Sequence, residues 1–224
     1  MNKINRLFSE RGDRKLLSLY FCAGCPKEDM TADVILAMQR HGIDMIEVGI
    51  PFSDPLADGP VIQSAGTVAL KNGMTLETLF GQLDAIKSQV NIPLVLMGYL
   101  NEIKPLADRY NLRCIMMITP ETSEERIRFI DRNTDGFIYM VSSASITGAQ
   151  QNFDEAKQQY FQRINAMNLH NPRMIGFGIS NRQTLESAQN NAAGAIIGSK
   201  FVTLLRNTGN ADEALNQLLE DLKK

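Results

Sequence analysis

Short apolar runs alternate with longer segments of helical hydrophobic period along the whole chain. This alternation is typical of repeated strand–helix units, in which helices cover a parallel sheet. The apolar runs predict seven strands, near residues 16–22, 45–50, 94–99, 114–119, 136–142, 173–177 and 194–198. The segments between and after them predict helices near residues 30–40, 61–71, 76–89, 105–110, 123–131, 154–167, 182–190, 200–206 and 211–222.

Polar residues follow the carboxyl ends of several predicted strands, which favours an α/β fold of the (β/α) TIM-type barrel kind, whose active sites lie on that face. A doubly wound open sheet is the alternative, but no G-x-G-x-x-G motif follows the first strand. Complete barrels of eight units occupy about 250 residues, whereas this chain has 224 residues and seven predicted strands. We therefore expect residues 1–224 to form a single barrel domain reduced to seven visible βα units.

The segment at residues 46–60 is the most informative, because an apolar strand leads directly into a loop that carries carboxylates. Glu47 lies inside the apolar run, where desolvation is expected to raise its pKa and keep it protonated near neutral pH. Asp54 and Asp58 lie in a loop stiffened by Pro and Gly, which can hold them ionised. Two carboxyl groups whose surroundings push their pKa values apart in this way are typical of an acid and a base acting on one substrate. Alternatively, Glu47 pairs with a basic residue and the aspartates form turns.

Two glycine-containing segments, residues 176–180 and 194–199, end consecutive predicted strands and lead into helices. Glycine lets the backbone approach a ligand, and the free amides at a helix start attract anions, so these segments predict a phosphate site. Tight turns, with Ser180 capping a helix, are the alternative. Residues 139–149 are rich in small and hydroxyl side chains and indicate either a substrate lid or a solvated connector.

Composition narrows the class of protein. A hydrophobic content of 44% and a net charge of −2 fit a soluble domain with a large core, and the absence of a basic block argues against a nucleic-acid partner. The chain starts with a polar helix and has no apolar run long enough for a membrane span, so we expect a cytoplasmic protein with no membrane partner. Cys22 and Cys25 form a C-x-x-C pair, but without a second pair or a nearby His we expect reduced thiols and no metal.

The sequence resembles the tryptophan synthase alpha chains over nearly its whole length. The most specific match is Pro-Phe-Ser-Asp-Pro-Leu-Ala-Asp-Gly-Pro at residues 51–60, and further matches lie at 97–101, 136–139, 146–149, 176–180 and 194–199. That family has a (β/α)8 barrel that cleaves indole-3-glycerol phosphate to indole and glyceraldehyde 3-phosphate. It passes the indole to a pyridoxal-phosphate beta chain, in a complex of two alpha and two beta chains. The resemblance implies this reaction, with a phosphosugar substrate and no cofactor in this chain.

The resemblance also implies roles for individual residues. Glu47 would protonate indole C3, Asp58 would stabilise charge on the indole nitrogen, and Tyr139 would support them by hydrogen bonding. The implied substrate-binding residues are Tyr20, Tyr99, Tyr139, Thr147, Gly148, Phe177, Gly178, Gly198 and Ser199, of which Gly148, Gly178, Gly198 and Ser199 would hold the phosphate. The implied loop facing the beta chain contains Pro51, Phe52, Ser53, Asp54 and Pro55.

The chain departs from the family after Asn101, where one helix–strand pair is absent. Seven strands must close a narrower barrel or leave the strands near residues 94 and 114 as unpaired edges. We therefore expect low stability, self-association through this gap and weak cleavage. The alternative function is a catalytically impaired subunit that binds and regulates a beta chain. A third alternative, a barrel that binds a different phosphosugar, is weakened by the specific match at residues 51–60. Smaller departures, at Ser143, Ser145 and Lys200, concern the lid and the phosphate loop.

Overall fold

The computed structural model describes residues 1–55, 58–99, 112–142 and 155–224. Within these residues seven strands are present: β1 (Leu16–Cys22), β2 (Met45–Gly49), β3 (Leu94–Met97), β4 (Met117–Ile118), β5 (Ile138–Val141), β6 (Arg173–Gly176) and β7 (Gly194–Ile197). The helices are α1 (Lys3–Glu10), α2 (Thr31–Arg40), α3 (Pro60–Lys71), α4 (Leu76–Ile86), α5 (Glu124–Asn133), α6 (Glu155–Ala166), α7 (Arg182–Asn191), α8 (Ser199–Thr208) and α9 (Ala211–Asp221). A short 3₁₀ helix, Glu28–Met30, precedes α2.

The strands form one parallel sheet in the order β3-β2-β1-β7-β6-β5-β4. The first and last strands of the chain are neighbours, with Leu16 opposite Gly194, so the sheet curls as in a barrel. The predicted α/β barrel class with seven strands is therefore confirmed. Strands β3 and β4 end the sheet, and no pairing joins them within the part of the chain that the structure describes. The predicted helix at 105–110 lies outside the described residues.

Strand β4 is shorter than the sequence predicts. The apolar run predicts a strand over residues 114–119, but only Met117 and Ile118 pair, with Tyr139 and Met140 of β5. A strand at the end of a sheet has one neighbour, so an apolar run there obtains fewer ladder hydrogen bonds than the same run in the interior.

Alternation along the strands divides the core into two layers. Inward-facing side chains such as Leu16, Met45 and Phe137 form an inner cluster, which Ile4, Leu7 and Phe8 of α1 cover. The other face of the sheet packs against the surrounding helices in a larger cluster. Helix α1, whose sequence indicates only a polar helix start, thus packs a half-buried apolar stripe against the inner layer. No helix of the described residues is long and apolar enough to cross a membrane.

Candidate active site

A cavity opens at the carboxyl ends of the strands and gathers residues that are far apart in the sequence. Its lining includes eight of the predicted catalytic and binding residues: Tyr20, Glu47, Asp58, Tyr139, Phe177, Gly178, Gly198 and Ser199. Tyr99 is not among the lining residues. Its ring stacks on Phe52 with the ring centroids 4.5 Å apart. Thr147 and Gly148 lie outside the described residues.

Glu47 is the chemically distinctive residue of this cavity. It lies in β2 between β1 and β3, opposite Tyr20 and Val95, and is 1% exposed. Neither carboxyl oxygen has a hydrogen-bond partner among the described residues. Burial raises the pKa of Glu47 to about 8, because no opposite charge compensates the desolvated carboxylate. The carboxyl therefore holds its proton at neutral pH, as the apolar run around it predicts.

Asp58 enters the cavity from the loop after β2. Burial raises the pKa of its carboxyl as well, a desolvation that the loop sequence by itself does not indicate. Gln63 in the first turn of α3 fixes the loop, because its side-chain amide donates to the carbonyl of Asp58 at 2.9 Å and to that of Pro55 at 3.3 Å.

Two tyrosines fit into the cavity because glycines face them. A Cβ atom at Gly176 would lie 2.6 Å from the Tyr139 Cζ, and one at Gly49 would lie 2.5 Å from the Tyr20 Cζ. Burial raises the pKa of both phenols well above the usual value, and nearby acidic groups raise it further. Both hydroxyls consequently remain protonated and available as hydrogen-bond donors.

The start of α8 also lines the cavity. Gly198 is the N-cap of this helix and supplies no side-chain cap, so the first-turn amides stay available. Helix α7 differs, because Asn181 and Thr184 form a capping box in which each side chain accepts a hydrogen bond from the backbone amide of the other. The predicted phosphate segment at 194–199 thus has the free helix start, whereas the one at 176–180 leads into a self-capped helix. Lys200 pairs with Asp221 of α9 at 2.7 Å.

Phe177 and Gly178 form the bend between β6 and α7. Both have positive φ, +69° and +78°, and Phe177 is a non-glycine residue in this left-handed region. The Ser142 hydroxyl donates to the carbonyl of Phe177, and the Phe177 ring meets the Tyr139 ring edge-on at 6.1 Å. Buried contacts thus hold a strained turn beside the cavity, as is common at functional sites.

Sequence reasoning missed several residues of the site. Met97, Ile179 and Ile196 line its apolar wall, and Gln63 and Ser142 brace its loops. The apolar residues carry no local signal that separates them from core positions. Gln63 could have been found from its place in the first turn after the carboxylate loop.

The predicted partner loop is partly described. Ser53 and Asp54 are exposed, and the Ser53 hydroxyl donates to the Asp54 carboxylate at 2.7 Å. Pro51, Phe52 and Pro55 are half-buried, and the stack of Phe52 on Tyr99 ties the loop to the end of β3.

The C-x-x-C thiols lie close to the site. Cys22 and Cys25 are buried and free, and burial raises the pKa of Cys22 to about 12 and also raises that of Cys25. In the described residues no group of three or more His, Cys, Asp or Glu side chains is arranged to hold a metal ion.

Comparisons with known proteins give one result. The family model described as tryptophan synthase alpha chain matches residues 8–108 and 102–224. The tryptophan synthase alpha chain of Phocaeicola vulgatus is 56% identical over 258 residues, with all of both chains covered. That of Flavobacterium johnsoniae is 44% identical over 243 residues, covering 93% of this chain and 95% of the relative.

Solved structures agree. A chain of Mycobacterium tuberculosis tryptophan synthase superposes with a TM-score of 0.84 at 25% identity, covering 99% of this chain and 96% of the other. A mutant alpha subunit from Pyrococcus furiosus gives 0.81 at 29% identity, covering 93% and 97%.

The break in the family match supports the absence of one unit. The two matched segments meet at residues 102–108, between β3 and β4, and the alignment with the Phocaeicola vulgatus protein is longer than the 224 residues of this chain. With full-length relatives at this level of identity and a family model that matches on both sides of the break, the chain belongs to the tryptophan synthase alpha chain family.

Proposed function

We propose that the chain is a lyase that cleaves indole-3-glycerol phosphate to indole and glyceraldehyde 3-phosphate, as the alpha subunit of tryptophan synthase. The observation that carries this proposal is Glu47, a fully buried carboxyl that is protonated at neutral pH and faces a cavity with Asp58 and a free helix start. The cavity thus has an acid, a second carboxyl and an anion-binding end. The substrate needs all three.

Glu47 supplies the proton that starts the reaction. Transfer to indole C3 gives an indoleninium, in which the ring accepts the electron pair of the bond to the glycerol carbon. The pKa of about 8 leaves most molecules protonated at pH 7 while keeping the carboxyl acidic enough to release its proton. The apolar wall of Met97 and Ile196 excludes water from this transfer.

Asp58 stabilises the positive charge on the ring nitrogen. The carbon–carbon bond then breaks, its electrons return to the ring, and the glycerol hydroxyl becomes the aldehyde by losing a proton. The Glu47 carboxylate left by the first step takes that proton, so the carboxyl ends in its starting state. Both phenols stay protonated, so Tyr139 and Tyr20 can donate hydrogen bonds to the Glu47 carboxylate and to the glycerol oxygen that becomes the aldehyde.

The substrate phosphate is placed at the amides of Gly178, Gly198 and Ser199. The uncapped start of α8 favours an anion through its free N–H groups and its dipole. The substrate then spans the cavity, with its ring against Glu47 and Asp58. Tyr99 is not part of this proposed set, and it instead buttresses the partner loop through Phe52.

The proposed partner is a tryptophan synthase beta chain, in a complex of two alpha and two beta chains in the cytoplasm. The relatives support an alpha-subunit role in tryptophan biosynthesis. The loop at 51–55 is the proposed contact, because it presents the exposed Ser53 and Asp54 directly beside the carboxylate loop. Binding there can influence Asp58 through the short connection and Gln63.

Indole release by purified protein, with and without an added beta chain, tests this proposal. The Glu47→Gln variant keeps the shape of the side chain but cannot donate an acidic proton, so indole release should fall about a thousandfold, in line with loss of a general acid that supplies about 10²–10⁴. Glu77→Gln, at an exposed position on α4, is the matched control and should retain full release. Wild-type turnover in Glu47→Gln would rule out this role.

A second candidate is a catalytically impaired subunit that binds and regulates a beta chain. It is favoured by the break in the family match at 102–108 and by the absence of pairing between β3 and β4 in the described residues. Stimulation of beta-chain activity without indole release by the wild-type protein would support this candidate. Indole release that depends on Glu47 would support the lyase.

A further inference from the structure

A second cleft lies at the opposite end of the sheet from the candidate active site. Its walls come from the end of α1, the residues before β1, the loop before β6 and the loop before β7. It is an open cleft with a volume of about 560 Å³, within the range of small-molecule sites. The proposed reaction uses none of its residues.

The charge of this cleft is one-sided. Its lining contains Arg11, Lys15 and Arg173 but no Asp or Glu. Within the described part of the chain these three side chains form no ion pair at hydrogen-bond distance. Their partners are neutral: Arg11 donates to the Arg14 carbonyl at 2.9 Å, and Lys15 donates to the Ala192 carbonyl at 2.9 Å.

Hydrogen bonds hold the Arg173 side chain in place. Its two terminal nitrogens donate to the Asn171 carbonyl at 3.4 Å and to the Asn165 side-chain oxygen at 3.2 Å. Its Nε is buried without a described hydrogen-bond partner. Asp131 acts on Arg173 electrostatically, but the Asp131 carboxylate accepts the backbone amides of His170 and Asn171 at 2.8 and 2.9 Å. The Asp131 carboxylate therefore compensates part of the positive charge, from a position outside the cleft lining.

The backbone at residues 192–193 links two of the three cations, and Arg11 lies on the segment that precedes Lys15. Lys15 bonds to Ala192, the amide of Ala193 donates to the carbonyl of Arg173, and Arg11 is anchored next to Lys15. Guanidinium groups bind phosphate oxygens through two parallel hydrogen bonds, and an ammonium adds a point charge.

We propose that this cleft is a second binding site, for a small anion that carries more than one phosphate group. Two or three fixed cations around a cleft of this volume match a diphosphate better than a single phosphate, which would leave charge uncompensated. The site lies at the amino ends of the strands, whereas Glu47 and the proposed substrate-phosphate site at Gly198 open into the cavity at the carboxyl ends.

Calorimetric titration with inorganic pyrophosphate at low ionic strength tests the proposal. The double variant Arg11→Gln/Lys15→Gln should weaken binding at least tenfold. Lys71→Gln/Lys87→Gln removes the same charge from exposed positions elsewhere and should change affinity less than twofold. Inorganic phosphate should bind the wild type at least fivefold more weakly than pyrophosphate does.

Location separates this site from the proposed substrate site. Amide chemical shifts should move at Asn171, Ala192 and Ala193, and these changes should persist in Gly198→Val. If the double variant fails to fold, Arg11→Gln alone serves, since its described contact is only the Arg14 carbonyl. Unchanged affinity in the cleft variants, shifts confined to residues 178 and 198–199, or equal affinity for phosphate and pyrophosphate would each overturn the proposal.

Discussion

The buried carboxyl of Glu47 should make the stability of this protein depend on pH in a way that one substitution removes. Below about pH 4.5 the carboxyl is protonated in both the folded and the unfolded chain. Between pH 4.5 and 8 the unfolded chain releases this proton while the folded chain keeps it. The contribution of Glu47 to the free energy of unfolding therefore falls as pH rises through this window. The Glu47→Gln variant lacks this pH-dependent contribution, because its amide does not ionise.

The magnitude follows from the two pKa values. Each pH unit inside the window is worth about 1.4 kcal/mol. With a folded pKa of about 8 and an ordinary value of 4.5, wild-type stability relative to Glu47→Gln should fall by about 3.5 kcal/mol from pH 5 to pH 8. This is a large fraction of the roughly 5–15 kcal/mol by which an ordinary domain is stable. The comparison across pH does not depend on how well the amide itself is accommodated.

Urea unfolding followed by circular dichroism at pH 5, 6, 7 and 8 measures this difference directly. The wild-type curve should lose stability relative to Glu47→Gln at each step, while Glu77→Gln should run parallel to the wild type. Parallel curves for the wild type and Glu47→Gln would show that the carboxyl ionises in the folded protein at its ordinary pKa. The proposed general acid would then lack its physical basis.

Three further predictions concern the site and the sheet. Asp58→Asn should lower kcat for indole release at least tenfold with a smaller change in KM, because its charge acts mainly in the transition state; a pure rise in KM would contradict this role. Gly176→Ala should push Tyr139 out of place and cost about 1–3 kcal/mol in urea unfolding, whereas Gly81→Ala on α4, where no atom obstructs a Cβ, should be neutral or stabilise by up to about 1 kcal/mol; equal effects would refute the packing argument. The chain should melt at a lower temperature than its eight-unit relatives and dimerise with concentration in analytical ultracentrifugation, since β3 and β4 end the sheet; a monomer of family-like stability would refute this.

The order of the elements and the class of fold could be predicted from local patterns in the chain. An apolar run of strand length forms a buried strand whichever strands become its neighbours. For this reason β1, β2, β5, β6 and β7 begin and end within one or two residues of the predicted positions. The position of Glu47 within such a run also predicts its raised pKa, because burial of the strand carries the carboxyl with it. These are local properties of the chain.

Other features depend on neighbours from distant parts of the chain and required the folded structure. Contacts between separate elements raise the pKa of Asp58 and place Tyr99 against Phe52. They also decide that the absence of a side chain at Gly176 leaves room for Tyr139. The shortness of β4 likewise follows from its place at the end of the sheet. Burial and close approach are set by which strands become neighbours, and no single stretch of sequence contains that information.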